Sequence, residues 1–205
     1  MPADATVFIV DDDLEVRQAL ALLLESVGLP AETFGSADEF LQRFDPERPG
    51  CLVLDVRMPG MSGLELQSRL ADATIHPPVI IITGHGDVPM AVRAVQAGAV
   101  DFIEKPFNDQ ALLDSVHRAL EQDARRRGQV RELAGIRQRL DSLTPREREV
   151  MKLVVSGLRN KMIAAELDVS QSTVEAHRAR VMEKMQARTL SDLMRMVLSL
   201  EEPIA

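Results

Sequence analysis

The sequence predicts an α/β domain wound on both sides of a five-stranded parallel sheet, followed by a small all-α domain of four helices containing a helix-turn-helix. Short apolar runs without alternation, Val7–Val10, Leu52–Leu54 and Val79–Ile82, read as strands buried on both faces. Segments of helical period separate them, which makes the sheet parallel with right-handed crossovers. From Ser142 onward, consecutive segments carry their apolar residues at helical spacing instead. At 205 residues the chain is long for one ordinary domain and comfortable for two.

Taken in order, Val7–Val10 is the first strand and empties into Asp11, Asp12 and Asp13. Leu14 to Val27 is a helix with an apolar face that includes Leu20 and Leu24, ended by Gly28. Ala31 to Phe34 is a weaker second strand, and Ser36 caps a helix over 37–44. The third strand stops at Asp55, and Pro59-Gly60 forces a turn ahead of a helix over 62–70. Val79–Ile82 is the fourth strand; it leads into Thr83, Gly84 and His85, and a helix over 89–97 is stopped by Gly98. A fifth strand over 100–103 ends in Glu104, Lys105 and Pro106, and Asn108 or Asp109 caps the next helix.

That helix need not stop, because apolar residues from Leu112 to Leu143 recur mostly at three- and four-residue steps. Gly128 breaks the face and Arg125, Arg126 and Arg127 make it basic. The segment reads either as an ordinary linker helix or as a short coiled-coil-like rod that joins protomers or relays a signal. Expected boundaries are residues 1–122 for the α/β domain, 123–141 for the linker helix and 142–205 for the all-α domain. Thr144 as cap, Pro145 at the first helical position and Glu147 three residues after the cap open a helix that Gly157 stops. A short helix over 161–167 and a longer one capped by Ser170 or Ser172 flank a tight turn, the helix-turn-helix signature. In the last helix, over 190–200, Leu193, Met194, Val197 and Leu200 serve as core or as a small dimer face.

Composition narrows the function classes. The net charge of −8 hides an asymmetry: residues 1–123 hold 8 Lys and Arg against 21 Asp and Glu, residues 124–205 hold 16 against 11. Halves of opposite charge suit different partners, and only the second suits a phosphate backbone. Trp and Tyr are absent, which argues against nucleic-acid binding by base stacking. No apolar run approaches the roughly 18 to 20 residues of a membrane span, and no secretory signal is expected at the amino terminus. The single Cys51 fits a reducing cytoplasm and core packing.

The polar residues then fall into place. Asp11 and Asp12 follow the first strand, Asp55 the third, Thr83 the fourth and Lys105 the fifth. Carboxyl ends of parallel strands share one edge of the sheet, so these residues converge. Crowded carboxylates call for a cation, and an all-oxygen donor set suits Mg²⁺. A Lys and a Thr hydroxyl beside them hold phosphoryl oxygens, and Asp55 is placed to attack phosphorus and form an aspartyl phosphate. Asp13 reads as a helix-start charge, and His76 and His85 as loop residues.

This half resembles the receiver domain of two-component response regulators, a flavodoxin-like fold, through Asp11-Asp12, Asp55 with Met58-Pro59-Gly60, Thr83, and Lys105-Pro106. The resemblance implies that Asp55 accepts phosphate from a sensor histidine kinase. It implies Mg²⁺ held by Asp11, Asp12, Asp55 and the backbone carbonyl of Arg57, and a switch pair of Thr83 and Phe102. It also implies a cis Lys105-Pro106 bond and a dimer face near Met90, Val92, Val95 and Phe102. Many relatives carry Tyr where Phe102 stands, so this ring lacks a hydroxyl for polar contacts.

The second half resembles the LuxR-type DNA-binding domain through Leu143-Thr-Pro-Arg-Glu147, Gly157-Leu158, Asn160-Lys161, Ile163-Ala164 and Ser172-Thr-Val-Glu-Ala-His177. At 100° per residue, Thr173, His177, Arg180 and Lys184 share a broad face with Arg178 at its flank, while Val174 and Val181 point into the core. Glu175 stands where many relatives have Lys, which removes a phosphate contact or reads a cytosine amino group. Domain order and the run Glu175–Arg180 look most like the FixJ branch, whose regulators control nitrogen-fixation genes.

The expected function is a phosphorylation-switched transcriptional activator: a sensor histidine kinase as phosphodonor, a homodimer on phosphorylation, promoter DNA and RNA polymerase as partners. No enzyme activity is expected beyond the receiver's own phosphoryl transfer and loss. Neutral balance over residues 141–205, ten basic against ten acidic, makes pairing of two domains important. Alternatives are a paralogue controlling another operon, a phosphate-independent DNA binder, or a phosphatase of the haloacid dehalogenase type. The last usually needs a second Asp two residues beyond the nucleophile, and here that residue is Arg57.

Overall fold

A computed structural model describes residues 5–71, 77–84 and 88–200. His76 and His85 lie outside the described residues. The chain divides into two compact units, Met1–Arg126 and Arg127–Ala205.

The first unit alternates β1 (Thr6–Val10), α1 (Leu14–Ser26), β2 (Ala31–Phe34), α2 (Ala37–Arg43), β3 (Gly50–Asp55), α3 (Gly63–Ala71), β4 (Val79–Thr83), α4 (Val88–Gln96), β5 (Asp101–Glu104) and the start of α5 (Asp109–Asp141). The sheet is all parallel, in the order β2-β1-β3-β4-β5. Alternation sends Val7, Ile9, Cys51, Val53, Ile80 and Ile82 into one core with Leu20, Leu24, Leu112 and Val116. The intervening Phe8, Val10, Leu52, Leu54 and Ile81 enter the other core with Phe34, Phe40, Leu66 and Ala94. Full burial of both faces of β3 is why its sequence shows no polar alternation.

Local chemistry sets the helix ends near the site. Asp13 caps α1, its carboxylate accepting from the amides of Glu15 (2.8 Å) and Val16 (3.4 Å). Ser36 caps α2 by accepting from Glu39 N–H at 3.1 Å. Gly63 opens α3 directly against the backbone carbonyl of Asp55, where any Cβ would collide with that oxygen. Asn108 caps α5, accepting from the amides of Gln110 (2.8 Å) and Ala111 (3.3 Å), which resolves the choice left open between Asn108 and Asp109. The Lys105-Pro106 bond is cis, as the resemblance implied.

The helix α5 runs unbroken through Gly128, so the segment expected as a linker is continuous with the last helix of the first unit. Its end belongs to the second unit's core, where Ile136 is buried and Leu140 packs alongside. Then come α6 (Pro145–Val155), α7 (Asn160–Glu166), α8 (Gln171–Met185) and α9 (Leu190–Ser199). The capping box of Thr144 and Glu147 forms, and Ser170, not Ser172, caps α8. Leu143, Val150, Val154, Ile163, Val174, Val181, Met185 and Leu193 fill this core.

Candidate functional sites

The carboxyl edge of the sheet brings Asp11, Asp55, Thr83 and Lys105 together. Their order follows from strand pairing: Val10 lies beside Leu54, Asp55 beside Ile82, and Thr83 beside Glu104. Lys105 N–H donates to the Thr83 carbonyl at 2.7 Å, which extends the β4–β5 ladder to the lysine. Its Nζ then donates to Asp11 Oδ2 at 2.7 Å and Asp55 Oδ1 at 2.8 Å. The other oxygen of each carboxylate accepts a backbone amide, Asp13 N–H to Asp11 at 2.9 Å and Arg57 N–H to Asp55 at 2.7 Å. Arg17 Nη1 donates to the Asp11 carbonyl at 2.6 Å and pins that loop from below.

Burial decides the electrostatics. Asp11 is 1% exposed and Asp55 5%. Burial pushes the Asp55 carboxyl above the usual carboxylate range; the Lys105 ammonium and the Arg57 amide oppose this and the Asp11 charge adds to it. Burial pulls Lys105 down, but its hydrogen bonds and charge contacts with Asp11 and Asp55 outweigh that, and its ammonium is held above the ordinary lysine value. The result is a buried acceptor oxygen beside a fixed cation.

Two of the expected Mg²⁺ ligands stand apart from the Asp11–Asp55 pair. Asp12 does not join Asp11 and Asp55: it is exposed, and among the described residues no three carboxylate, His or Cys side chains are placed to share an ion. The Asp11–Asp55 repulsion is relieved by the single ammonium of Lys105 instead. Arg57 donates its amide N–H to Asp55 at 2.7 Å; the expected ligand is a different atom of that residue, its carbonyl oxygen. The donor chemistry still fits Mg²⁺. Two buried carboxylates each accept two hydrogen bonds and keep further lone pairs, and a hard, oxygen-seeking cation is the group such a set takes.

Thr83 is fully buried, and Phe102 is half-buried against the core that contains Ala94. On α4, Met90 is half-buried while Val88, Val92 and Val95 form an exposed apolar stripe. Sequence reasoning missed Gln67, a buried polar residue whose Nε2 donates to the Ala94 carbonyl at 2.9 Å and whose Oε1 has no partner. Its signal was a lone amide between Leu66 and Leu70 on a core-facing helix.

In α8 the structure redraws the expected donor face. Val174, Val181 and Met185 point into the core; Ser172, Ala176, Ala179 and Glu183 face away from them, and Glu175 and Arg180, about 100° and 120° round on opposite flanks, are also exposed. Thr173, His177 and Lys184 lie about a quarter turn from the core direction, on a flank only partly exposed. Lys184 is engaged within the domain: its Nζ donates to Glu147 Oε2 at 2.7 Å and to the Ser142 carbonyl at 3.2 Å. Glu147 is 2% exposed, and the Lys184 ammonium with the Thr144 amide pulls its carboxyl down to about 2. Thr173 shares a 2.8 Å hydroxyl contact with the capping Ser170, and His177 Nδ1 is buried without a partner. Arg178 donates to Asn160 Oδ1 at 3.1 Å. Arg180 alone of the expected donors is exposed.

Comparison with known proteins identifies both domains. Residues 7–117 match the response regulator receiver domain, and residues 141–197 match the luxR family of bacterial regulatory proteins. Nodulation protein W of Bradyrhizobium diazoefficiens is 54% identical over 192 residues, covering 94% of this chain and 85% of that protein. The transcriptional regulatory protein FixJ of Rhizobium meliloti is 50% identical over 196 residues, 96% of each chain. Among solved structures, the response regulator StyR matches with a TM-score of 0.88 at 47% identity, covering 95% of this chain and 98% of that one. The chain belongs to the two-component response regulators, FixJ-like, with a receiver domain followed by a LuxR-type DNA-binding domain.

Proposed function

We propose that Asp55 is the phosphoacceptor and that its phosphorylation switches this chain into a dimeric, promoter-binding activator. The observation that carries this is the single ammonium of Lys105 bridging buried Asp11 and Asp55 at the sheet edge. An Asp55 carboxylate oxygen attacks the phosphorus of a kinase phosphohistidine, the P–N bond breaks, and the imidazole leaves with a proton. Lys105 then transfers its pairing from the carboxylate to the new phosphoryl oxygens. Asp11 and Asp55, with Asp12 and the Arg57 carbonyl, would hold Mg²⁺, which would supply neutralisation of charge on the phosphoryl oxygens.

The added dianion draws in the Thr83 hydroxyl, and the half-buried ring of Phe102 follows into the space released. The exposed stripe Val88, Val92 and Val95, with Met90 and Phe102 behind it, supplies apolar surface for a second copy. Domain limits of 1–122, 123–141 and 142–205 serve as the working division. The likeness to FixJ supports nitrogen-fixation promoters as targets, with RNA polymerase recruited there. The 54% identity to nodulation protein W supports, equally, a paralogue acting on another operon.

The test is incubation of the full chain with a small-molecule phosphodonor and Mg²⁺, followed by peptide mass spectrometry and sedimentation. Phosphate on Asp55 and a shift from monomer to dimer, both lost in Asp55→Asn, are expected. An unmodified Asp55, or a dimer that forms equally in Asp55→Asn, overturns the mechanism.

A further inference from the structure

The exposed surface of α8 is poor in donors. Near the amino-terminal end of the helix, the part that reaches base edges in a helix-turn-helix, it offers Ser172, Glu175 and Ala176. Ala176 and Ala179 leave the backbone free to approach closely, and their methyl groups suit thymine methyls. The one long polar side chain at that level is an acceptor, Glu175. It is not loose: Asn160, the first residue of α7, places its amide between two α8 residues one turn apart. Asn160 Nδ2 approaches Glu175 Oε1 at 3.5 Å, and Asn160 Oδ1 accepts from Arg178 Nη1 at 3.1 Å. The second bond keeps the Arg178 guanidinium half-buried, away from the exposed surface, and fixes which way the Asn160 amide group points. The first is long, so it aims the carboxylate without using up its lone pairs.

We propose that Glu175 is the base-selecting residue of this regulator, that it reads a cytosine amino group in the major groove, and that Asn160 is its positioning residue. This rests on the DNA-binding reading above. A carboxylate accepts from cytosine N4. Adenine also offers an amino group there, but its adjacent N7 acceptor repels a carboxylate, and guanine and thymine present O6 and O4 acceptors. Each half-site therefore carries a cytosine opposite Glu175, flanked by thymines opposite Ala176 and Ala179.

The experiment is selection from randomised duplex DNA by the full chain, activated with phosphodonor and Mg²⁺, for wild type, Glu175→Gln, Glu175→Ala and Asn160→Ala. Wild type enriches a cytosine at one position in each half-site. Glu175→Gln, which offers a donor beside its acceptor, exchanges it for adenine, and Glu175→Ala abolishes the preference. Asn160→Ala lowers the preference by about fivefold or more while binding to non-specific duplex holds. Circular dichroism of each variant matches wild type, since Glu175 is exposed and the half-buried Asn160 stands at the first position of α7, where alanine is compatible with helix. An enriched cytosine that Glu175→Ala leaves in place, or a half-site without one, overturns the assignment and spares DNA binding. Failure of wild type to enrich any sequence overturns the DNA-binding reading itself.

Discussion

Lys105 holds Asp11 and Asp55 with one ammonium, at 2.7 and 2.8 Å, although the three residues come from the ends of three different strands. The geometry works because β1 and β3 are neighbours in the sheet while β5 lies one strand beyond β4, within reach of a lysine side chain. Burial raises the Asp55 pKa by more than the Lys105 ammonium lowers it, and the neighbouring Asp11 charge adds to the rise.

Asp55 opposes folding as pH rises. Its folded-state pKa lies above its unfolded value, so its stabilising protonation is fully present below about pH 3.9 and is lost as pH rises through the folded pKa. Asp55→Asn keeps the shape and removes the charge. In chelator at pH 7 we expect it to melt higher than wild type, with the difference shrinking on acidification; a lower melting temperature at neutral pH would contradict the burial argument.

Glu147 behaves in the opposite sense. With its carboxyl held at about 2 against an ordinary value of 4.5, its stabilisation is present above pH 4.5 and lost as pH falls toward 2. Glu147→Gln or Lys184→Met is expected to destabilise the second unit at pH 7, and urea titrations at pH 7 and near pH 2.5 should show wild type and variant converging in acid.

Lys184 and Arg180 separate the two readings of the α8 face. Arg180 is exposed and Lys184 is engaged with Glu147. Arg180→Ala is expected to weaken DNA binding across sequences and reduce the slope of log affinity against log salt by about 1. Lys184→Ala should leave that slope unchanged while lowering the melting temperature.

Gly128 and Gly135 sit inside α5 with open space where a Cβ would go and ordinary helical backbone. Gly128→Ala and Gly135→Ala are each expected to stabilise by about 0.5–1 kcal/mol, read as a shift in the denaturant midpoint. A loss of stability in either would mean that α5 is not continuous through that residue.

Val92 and Val95 are 47% and 58% exposed, so Val92→Glu with Val95→Glu should change folding stability by no more than about 1 kcal/mol in total. The same pair is expected to keep the phosphorylated chain monomeric in sedimentation. A full-strength dimer would move the self-association surface elsewhere.

The sequence by itself determined the order of elements, the strand ends that carry Asp11, Asp55, Thr83 and Lys105, and the capping box at Thr144, because apolar period and cap chemistry are local properties of the chain. Buried parallel strands announce themselves without alternation, and whatever polar residue ends such a strand is placed at the sheet edge by topology alone. Tertiary structure decided which charges meet. Asp12 is next to Asp11 in the chain yet stays out in solvent, while Lys105, 94 residues away, reaches Asp11 across the sheet. On α8, helical spacing correctly grouped Thr173, His177, Arg180 and Lys184, but not their exposure. For Lys184 that was set by the buried carboxylate of Glu147 on another helix, which draws the lysine toward it. Pairing between distant side chains depends on packing and desolvation, and neither is written in the spacing of one segment.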